Sequence, residues 1–363
     1  MLRAGRSVPA PRSASRAASP LALNGTGTEV RTMSMERTGQ VVVLDYDFGD
    51  VDIERSLVEP AGFELVAAQC KTEEDVVAVA RDAVGVLTQY AEVKGQAISG
   101  LRRCQVIARY GTGVDTVDVA AATRRGIRVT NAPNDWCADE VADHAVALLL
   151  TLARKLPAYD RATRGGSWSW QDGRPIHRMR GATLGLLSFG AIARNVAARM
   201  ASFGVRVTAH DPFLDAGEIR AAGADPVSFD ELLERSDYLV LQAPLTQGTR
   251  GLFGERELRR MKPTAILVNT ARGPIIDDGA LYRALEEGWI AGAGLDDLAE
   301  EPAKRRDWRP TSPLFSLENV VISPHAAYYS EESIEFVRRF AASEVVRVLS
   351  GQEPMSPVNL MAA

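Results

Sequence analysis

The sequence predicts an α/β protein made of two doubly wound parallel-sheet domains. Three observations carry that expectation. Short apolar and β-branched runs alternate with helical patterns from Val41 onward, as in strands buried on both faces and joined by crossover helices. At 363 residues the chain exceeds one typical core and suits two. The alternation breaks once, at Asn131-Ala132-Pro133-Asn134-Asp135, and then resumes.

Before the break, strands are expected at 41–46, 63–68, 84–88, 104–108 and 128–130, with helices around 53–58, 73–82 and 117–125. After it, 138–155 reads as a long helix with Val141, Ala145, Leu148, Leu149 and Leu152 on one face, crossing between domains. Residues 161–175 read as polar loop. The second series has strands at 183–189, 205–210, 238–242, 265–269, 291–295 and 320–323. Its helices are expected at 191–203, 229–235, 255–261 and 279–287. A last helix at 330–349 can return to the first domain.

Composition narrows the function classes. The chain is 46% hydrophobic and 25% charged, and no apolar run reaches the ~18 residues of a membrane span. Net charge is −5 and basic residues are not clustered in the body, so neither nucleic acid nor membrane is an expected partner. Cys70, Cys104 and Cys137 lack metal-ligand spacing and suit reduced thiols of a cytoplasmic protein. Residues 1–38 differ from the rest, with six arginines against two acids and no periodicity. They are expected to be a disordered basic tail. Such a start can be a transit peptide; the favoured reading is an inert tail or an upstream start codon, with Met33 or Met35 as alternatives.

The stretch from Thr183 to Asp211 reads as strand, glycine turn, helix, strand, acid. That order suits a dinucleotide. Free N–H groups and the dipole at a helix N-terminus favour its pyrophosphate, and the acid after the second strand holds ribose hydroxyls. Of the glycine fingerprint, Gly190 alone remains, with Ser188 and Ala193 in the outer glycine positions.

Four further stretches follow strands, at the edge where open parallel sheets bind ligands. The strand ending at Asn269 delivers Thr270, Ala271 and Arg272, whose guanidinium can fork two bonds to a carboxylate, as a 2-oxo or 2-hydroxy acid requires. Asp296, Asp297, Glu300 and Glu301 could be a metal site, a solvated run, or carboxylates that orient a histidine and raise its pKa; no metal is assigned. His325 follows a strand and a proline and could protonate a carbonyl oxygen. In Arg109-Tyr110-Gly111-Thr112-Gly113-Val114-Asp115 the glycines allow close backbone approach, and Arg109 could meet a second anionic group. His144, His177 and His210 are read as structural, although His210 could line an adenosine pocket.

Taken together, RYGTGVD, the Gly190 turn with Asp211, LVNTARG, GLDDLAEEP and SPHAAYYSEES resemble the D-isomer-specific 2-hydroxyacid dehydrogenase family over nearly all of 41–358. Two of these stretches further resemble its C-terminal-binding-protein-like and phosphoglycerate-dehydrogenase-like branch. The resemblance implies a Rossmann NAD-binding domain (135–326) inserted in a flavodoxin-like substrate domain (40–134 plus 327–358). It implies a catalytic trio: Arg272 on the substrate carboxylate and carbonyl, His325 as acid or base, and Glu301 bonded to His325. The cofactor positions it implies are Thr112, Ser188, Phe189, Gly190, Ala191, Ile192, Asp211, Ala243, Pro244, Thr249, Thr270, Ala271, Arg272, Asp296 and His325. Arg109, Gly111, Thr112, Gly113 and Arg272 would meet the substrate. Asp211 would repel a 2′-phosphate, so NAD is expected over NADP, and a homodimer is expected. Asp297 and Leu298 stand where the family has apolar and bulky residues, a departure expected to touch only local packing. The alternative function is an NAD(H)-responsive, corepressor-like binding protein.

Overall fold

In the computed structural model, residues 39–299 and 308–360 are described. The basic tail and Glu301 therefore lie outside the described residues.

The first sheet is built from β1 (Gln40–Leu44), β2 (Glu64–Ala68), β3 (Gly85–Thr88), β4 (Val106–Arg109) and β5 (Arg128–Thr130). All its pairings are parallel, in the order β2-β1-β3-β4-β5. Its crossover helices are α1 (Asp52–Val58), α2 (Glu73–Ala80), α3 (Gly95–Gly100) and α4 (Val119–Arg124). β1 ends two residues early because Asp45 takes a φ of +44°, which an extended strand cannot continue. β4 runs to Arg109, so that arginine sits at the strand's C-terminal end.

After the break come α5 (Ala138–Ala153) and α6 (Leu156–Arg164). Lys155, at φ +51°, separates them. The stretch expected as loop from 161 is thus helix as far as Arg164, followed by a short 3₁₀ turn at Trp170–Gly173. None of the side chains of α6 is fully buried, so no core face marks it.

The second sheet contains β6 (Thr183–Leu187), β7 (Arg206–His210), β8 (Asp225–Pro226), β9 (Tyr238–Leu241), β10 (Ile266–Asn269), β11 (Gly292–Leu295) and β12 (Val320–Ile322). Its order is β12-β11-β10-β9-β6-β7-β8, again parallel throughout. Its helices are α7 (Ala191–Ala201), α8 (Ala216–Ala221), α9 (Phe229–Arg235), α10 (Glu255–Arg260) and α11 (Asp278–Glu286). The strand order reverses between β6 and β9, which places a switch-point crevice at the C-terminal ends of β6, β9 and β10.

Small residues set the packing distances. A side chain at Gly294 would press on Leu148 Cβ at 3.0 Å, so α5 lies close on β11. Ala193, Val196, Ala197 and Met200 bury the inner face of α7. The last helix, α12 (Glu331–Leu349), returns to the first sheet as expected. Val337, Ala341, Ala342 and Val345 of α12 are buried there with Val41, Val43, Leu87 and Val106. Glu54 of α1, fully buried, accepts two bonds from Arg338 of α12 at 2.9 and 2.8 Å.

Candidate active site

One cleft, of about 540 Å³, collects the C-terminal ends of strands from both sheets. It is lined by Arg109, Gly111, Thr112 and Gly113 from the first, and by Gly190, Ala191 and Ile192 at the start of α7. Ala243, Pro244, Thr270, Ala271, Arg272, Asp296 and His325 complete it among the positions read from sequence. Ser188, Phe189, Asp211 and Thr249 do not line the cleft itself.

At the turn, Gly190 caps α7 with no side-chain bond to the helix's first N–H groups. A Cβ at Gly190 would meet nothing within 4 Å. This is an open cradle of donors, the arrangement a pyrophosphate needs. Asp211 stands at its edge and accepts from Phe189 N at 2.9 Å, Ser188 Oγ at 3.2 Å and Phe213 N at 2.9 Å. The residues present therefore fit a dinucleotide.

Two positions in this turn behave differently from expectation. Phe189 buries its ring completely, and its N–H and C=O are engaged by Asp211 and Arg194, so it offers a cofactor little beyond the shape of the turn. Ser188 adopts φ +69°, the left-handed region that favours glycine. Both Ser188→Ala and Ser188→Gly lose the hydroxyl bond to Asp211, but only the alanine keeps the backbone strain. Ser188→Ala should be less stable than Ser188→Gly by about 1 kcal/mol in urea unfolding. Equal stabilities would mean that the turn relaxes around a Cβ.

Arg272 is aimed by its own turn. The buried Asn269 side chain donates to Arg272 O at 2.9 Å and accepts from Ala271 N at 3.0 Å. The guanidinium then lies directly over Gly113, where any side chain would collide with it, and Nε donates to Asp115 at 3.2 Å. Arg109 lies over Gly111 (φ +135°) in the same way. Its Nε is buried with no hydrogen-bond partner among the described residues. Burial, reinforced by the Arg272 guanidinium, holds the Arg109 pKa below its ordinary value. Two guanidiniums in one cleft make it a trap for an anionic ligand.

His325 sits on a strained turn, with φ +51°. Asp296 enforces it. Its backbone O accepts from His325 N at 2.8 Å, and its carboxylate accepts from Ser323 Oγ at 2.5 Å and from Ala326 N and Ala327 N at 2.9 Å. His144 completes the clamp through Ser323 at 2.7 Å. Expected as structural, His144 thus supports the histidine turn. His210, also read as structural, has Nδ1 on Val227 O at 3.0 Å.

Asp297 departs from expectation most. It is 3% exposed, and its carboxylate lies 3.0 Å from His325 Nδ1 and 3.8 Å from Arg272. A carboxylate this deeply buried needs charged partners, so its position is electrostatic rather than a matter of local packing alone. Asp296 and Asp297 are both too buried to be a solvated run, and the described residues hold no cluster of metal-ligating groups.

Sequence reading missed Gln242, which donates to Thr270 Oγ1 at 2.7 Å, and Trp136, which donates to Thr112 Oγ1 at 3.1 Å. Tyr90 and Tyr328 meet through their hydroxyls at 3.1 Å beside the cleft, and burial first, then each other's proximity, pushes the Tyr90 pKa up. Neither Gln242 nor Trp136 lies in a recognisable motif; both come from loops that only the fold brings to the cleft.

The profile of "D-isomer specific 2-hydroxyacid dehydrogenase, NAD binding domain" matches residues 146–327. A glyoxylate reductase of Korarchaeum cryptofilum is 41% identical over 260 residues, 71% of this chain and 76% of that one. Among solved structures, a glyoxylate reductase from Paecilomyes thermophila superposes with a TM-score of 0.78 at 28% identity, covering 88% of this chain and 98% of that one. The NAD-complexed D-isomer specific 2-hydroxyacid dehydrogenase of Lactobacillus delbrueckii ssp. bulgaricus gives 0.73 at 26%, covering 88% of this chain and all of that one. The chain belongs to the D-isomer-specific 2-hydroxyacid dehydrogenase family. It is an NAD-dependent oxidoreductase of the CH–OH group of small 2-hydroxy acids. The corepressor-like alternative gains no support from these matches.

Proposed function

We propose that this cleft reduces a small 2-oxo acid to the D-2-hydroxy acid. The observation that carries the reading is that Arg272, His325 and the open N-terminus of α7 all face one cavity.

NAD, when bound, supplies or accepts the hydride at C2 of the substrate. The protein does the rest. Arg272, held over Gly113 by Asp115, grips the substrate carboxylate, and backbone N–H groups around Gly111 to Gly113 share it. Thr112 shapes that loop and Arg109 lines the far wall. His325 gives a proton to the C2 oxygen in reduction and takes it back in oxidation. Glu301 assists His325, in keeping with the family's trio. The turn 188–192, Ala243 to Thr249, Thr270 and Ala271 hold the dinucleotide, with Asp211 on the adenosine ribose. Asp296 serves the site by clamping the His325 turn. In this reading 135–326 holds the cofactor and supplies Arg272 and His325, while 40–134 plus 327–358 contributes the Gly111 to Gly113 loop and Arg109 to the substrate side. A homodimer in the cytoplasm completes the reading, and among the described residues no helix is long and apolar enough to cross a membrane.

Initial rates with NADH and NADPH over several 2-oxo acids test the cofactor assignment. Asp211→Ala should lose NADH efficiency by about 10-fold or more, the worth of a charge-assisted bond, and lose much less with NADPH. Equal loss of both would remove Asp211 from the ribose.

A further inference from the structure

Asp297 is the residue at the site that the family pattern does not foresee. It follows β11 directly, on the segment Asp297–Ala299. That segment packs so tightly on the Arg272 turn that any side chain at Gly273 would run into the backbone of Leu298 and Ala299. The close approach carries Asp297 beneath both working groups. Its Oδ1 is 3.0 Å from His325 Nδ1, and its Oδ2 is 3.8 Å from Arg272.

We propose that Asp297 is a positioning residue for His325, a carboxylate that holds the imidazole by Nδ1 and ties it to the Arg272 turn. The proposal rests on the reading of His325 as the proton donor. A carboxylate on Nδ1–H fixes the tautomer, so the proton exchanged with substrate is the one on Nε2. It also stabilises the imidazolium that reduction consumes and oxidation forms. This role is additional to the one the family's trio gives to Glu301, which lies outside the described residues. Among the described residues, the other charged or titratable groups near His325 include Asp296 on its own clamp, Arg272 in the same cleft, and Tyr328, whose ring lies 5.9 Å from the imidazole. Asp296 spends its carboxylate on Ser323 and the 326–327 amides, whereas Asp297 meets the ring directly.

The test compares wild type with Asp297→Asn, which keeps shape and removes charge, and with Asp297→Glu as the conservative rescue. The chain has four histidines, so the His325 titration can be followed by NMR in the full-length protein without substrate. In Asp297→Asn the His325 pKa should fall by about one unit. The high-pH limb of the reduction rate should move down with it, because the acid form is lost earlier. The kcat should drop about 10-fold or more, with NADH affinity retained and partial recovery in Asp297→Glu. An unchanged His325 titration and pH profile in a folded Asp297→Asn protein would overturn the proposal. Because the NMR reading needs no turnover, a wild type that fails to reduce any 2-oxo acid would sink the acid role of His325 and still leave the contact measurable. Should Asp297→Asn not fold, Asp297→Glu alone decides, since a longer carboxylate that leaves the titration and the rate untouched rules out a distance-dependent pairing.

Discussion

Replacing His325 by alanine is expected to lower kcat for 2-oxo acid reduction by about 10²–10⁴-fold, the range for loss of a general acid, with NADH affinity retained. The physical case rests on how much structure is spent on that one side chain. His325 occupies a left-handed backbone conformation that a non-glycine residue adopts at a cost of roughly 1–2 kcal/mol. Asp296 over-determines the turn with three side-chain bonds and one through its backbone carbonyl. His144 supports Ser323 from α5, and Asp297 engages Nδ1. Alanine removes the proton and keeps the turn, so the loss should fall on the chemical step. Steady-state NADH consumption separates kcat from KM, and fluorescence titration reports NADH binding. A kcat within threefold of wild type would move the acid to another group, with the Tyr90–Tyr328 pair the nearest candidate.

The second large effect is on stability. Arg338→Ala should destabilise the protein by about 3–5 kcal/mol, the range for breaking a buried ion pair from one side. Glu54 is fully buried and receives both Arg338 bonds, and Arg338 also reaches Asp50. Removing the guanidinium strands Glu54 without its counter-charge at the junction of α1 and α12. The double variant Glu54→Leu with Arg338→Met should recover most of the loss, because two apolar groups need no partner. Urea unfolding measures both. A loss under 1 kcal/mol for Arg338→Ala would show that Glu54 is hydrated or neutralised after the change. Since α12 is the element that returns the chain to the first sheet, that pair anchors the geometry of the cleft's substrate-facing wall.

Most of the architecture was legible because parallel strands buried on both faces announce themselves as apolar runs. β6, β9 and β10 are of this kind and were placed within a residue or two. β8 has two residues, too few for a period, and α6 is a short, polar helix that buries no side chain fully, so neither is legible as a core element. Arg272 and His325 were legible because each follows a strand directly, where the fold dictates a cleft edge. Asp297 is legible as one of four carboxylates that could orient a histidine, but not as the one that lies nearest His325. Its role depends on the approach of two loops across Gly273, a distance that no spacing within either loop records. Ser188 was legible as a missing glycine. Only the structure shows that it keeps the glycine's φ and turns its hydroxyl to Asp211. Gln242 and Trp136 belong to the same class as Asp297, since their contacts form between segments far apart in the chain.

The most direct test of the central claim is reduction of a panel of 2-oxo acids by the full-length protein with NADH, followed by chiral separation of the product. The panel should span glyoxylate, hydroxypyruvate and branched and aromatic 2-oxo acids. Stoichiometric NADH consumption with at least one prochiral member, one other than glyoxylate, yielding the D-2-hydroxy acid, is the predicted result. NADH binding without turnover of any member, or formation of the L-isomer, would contradict it.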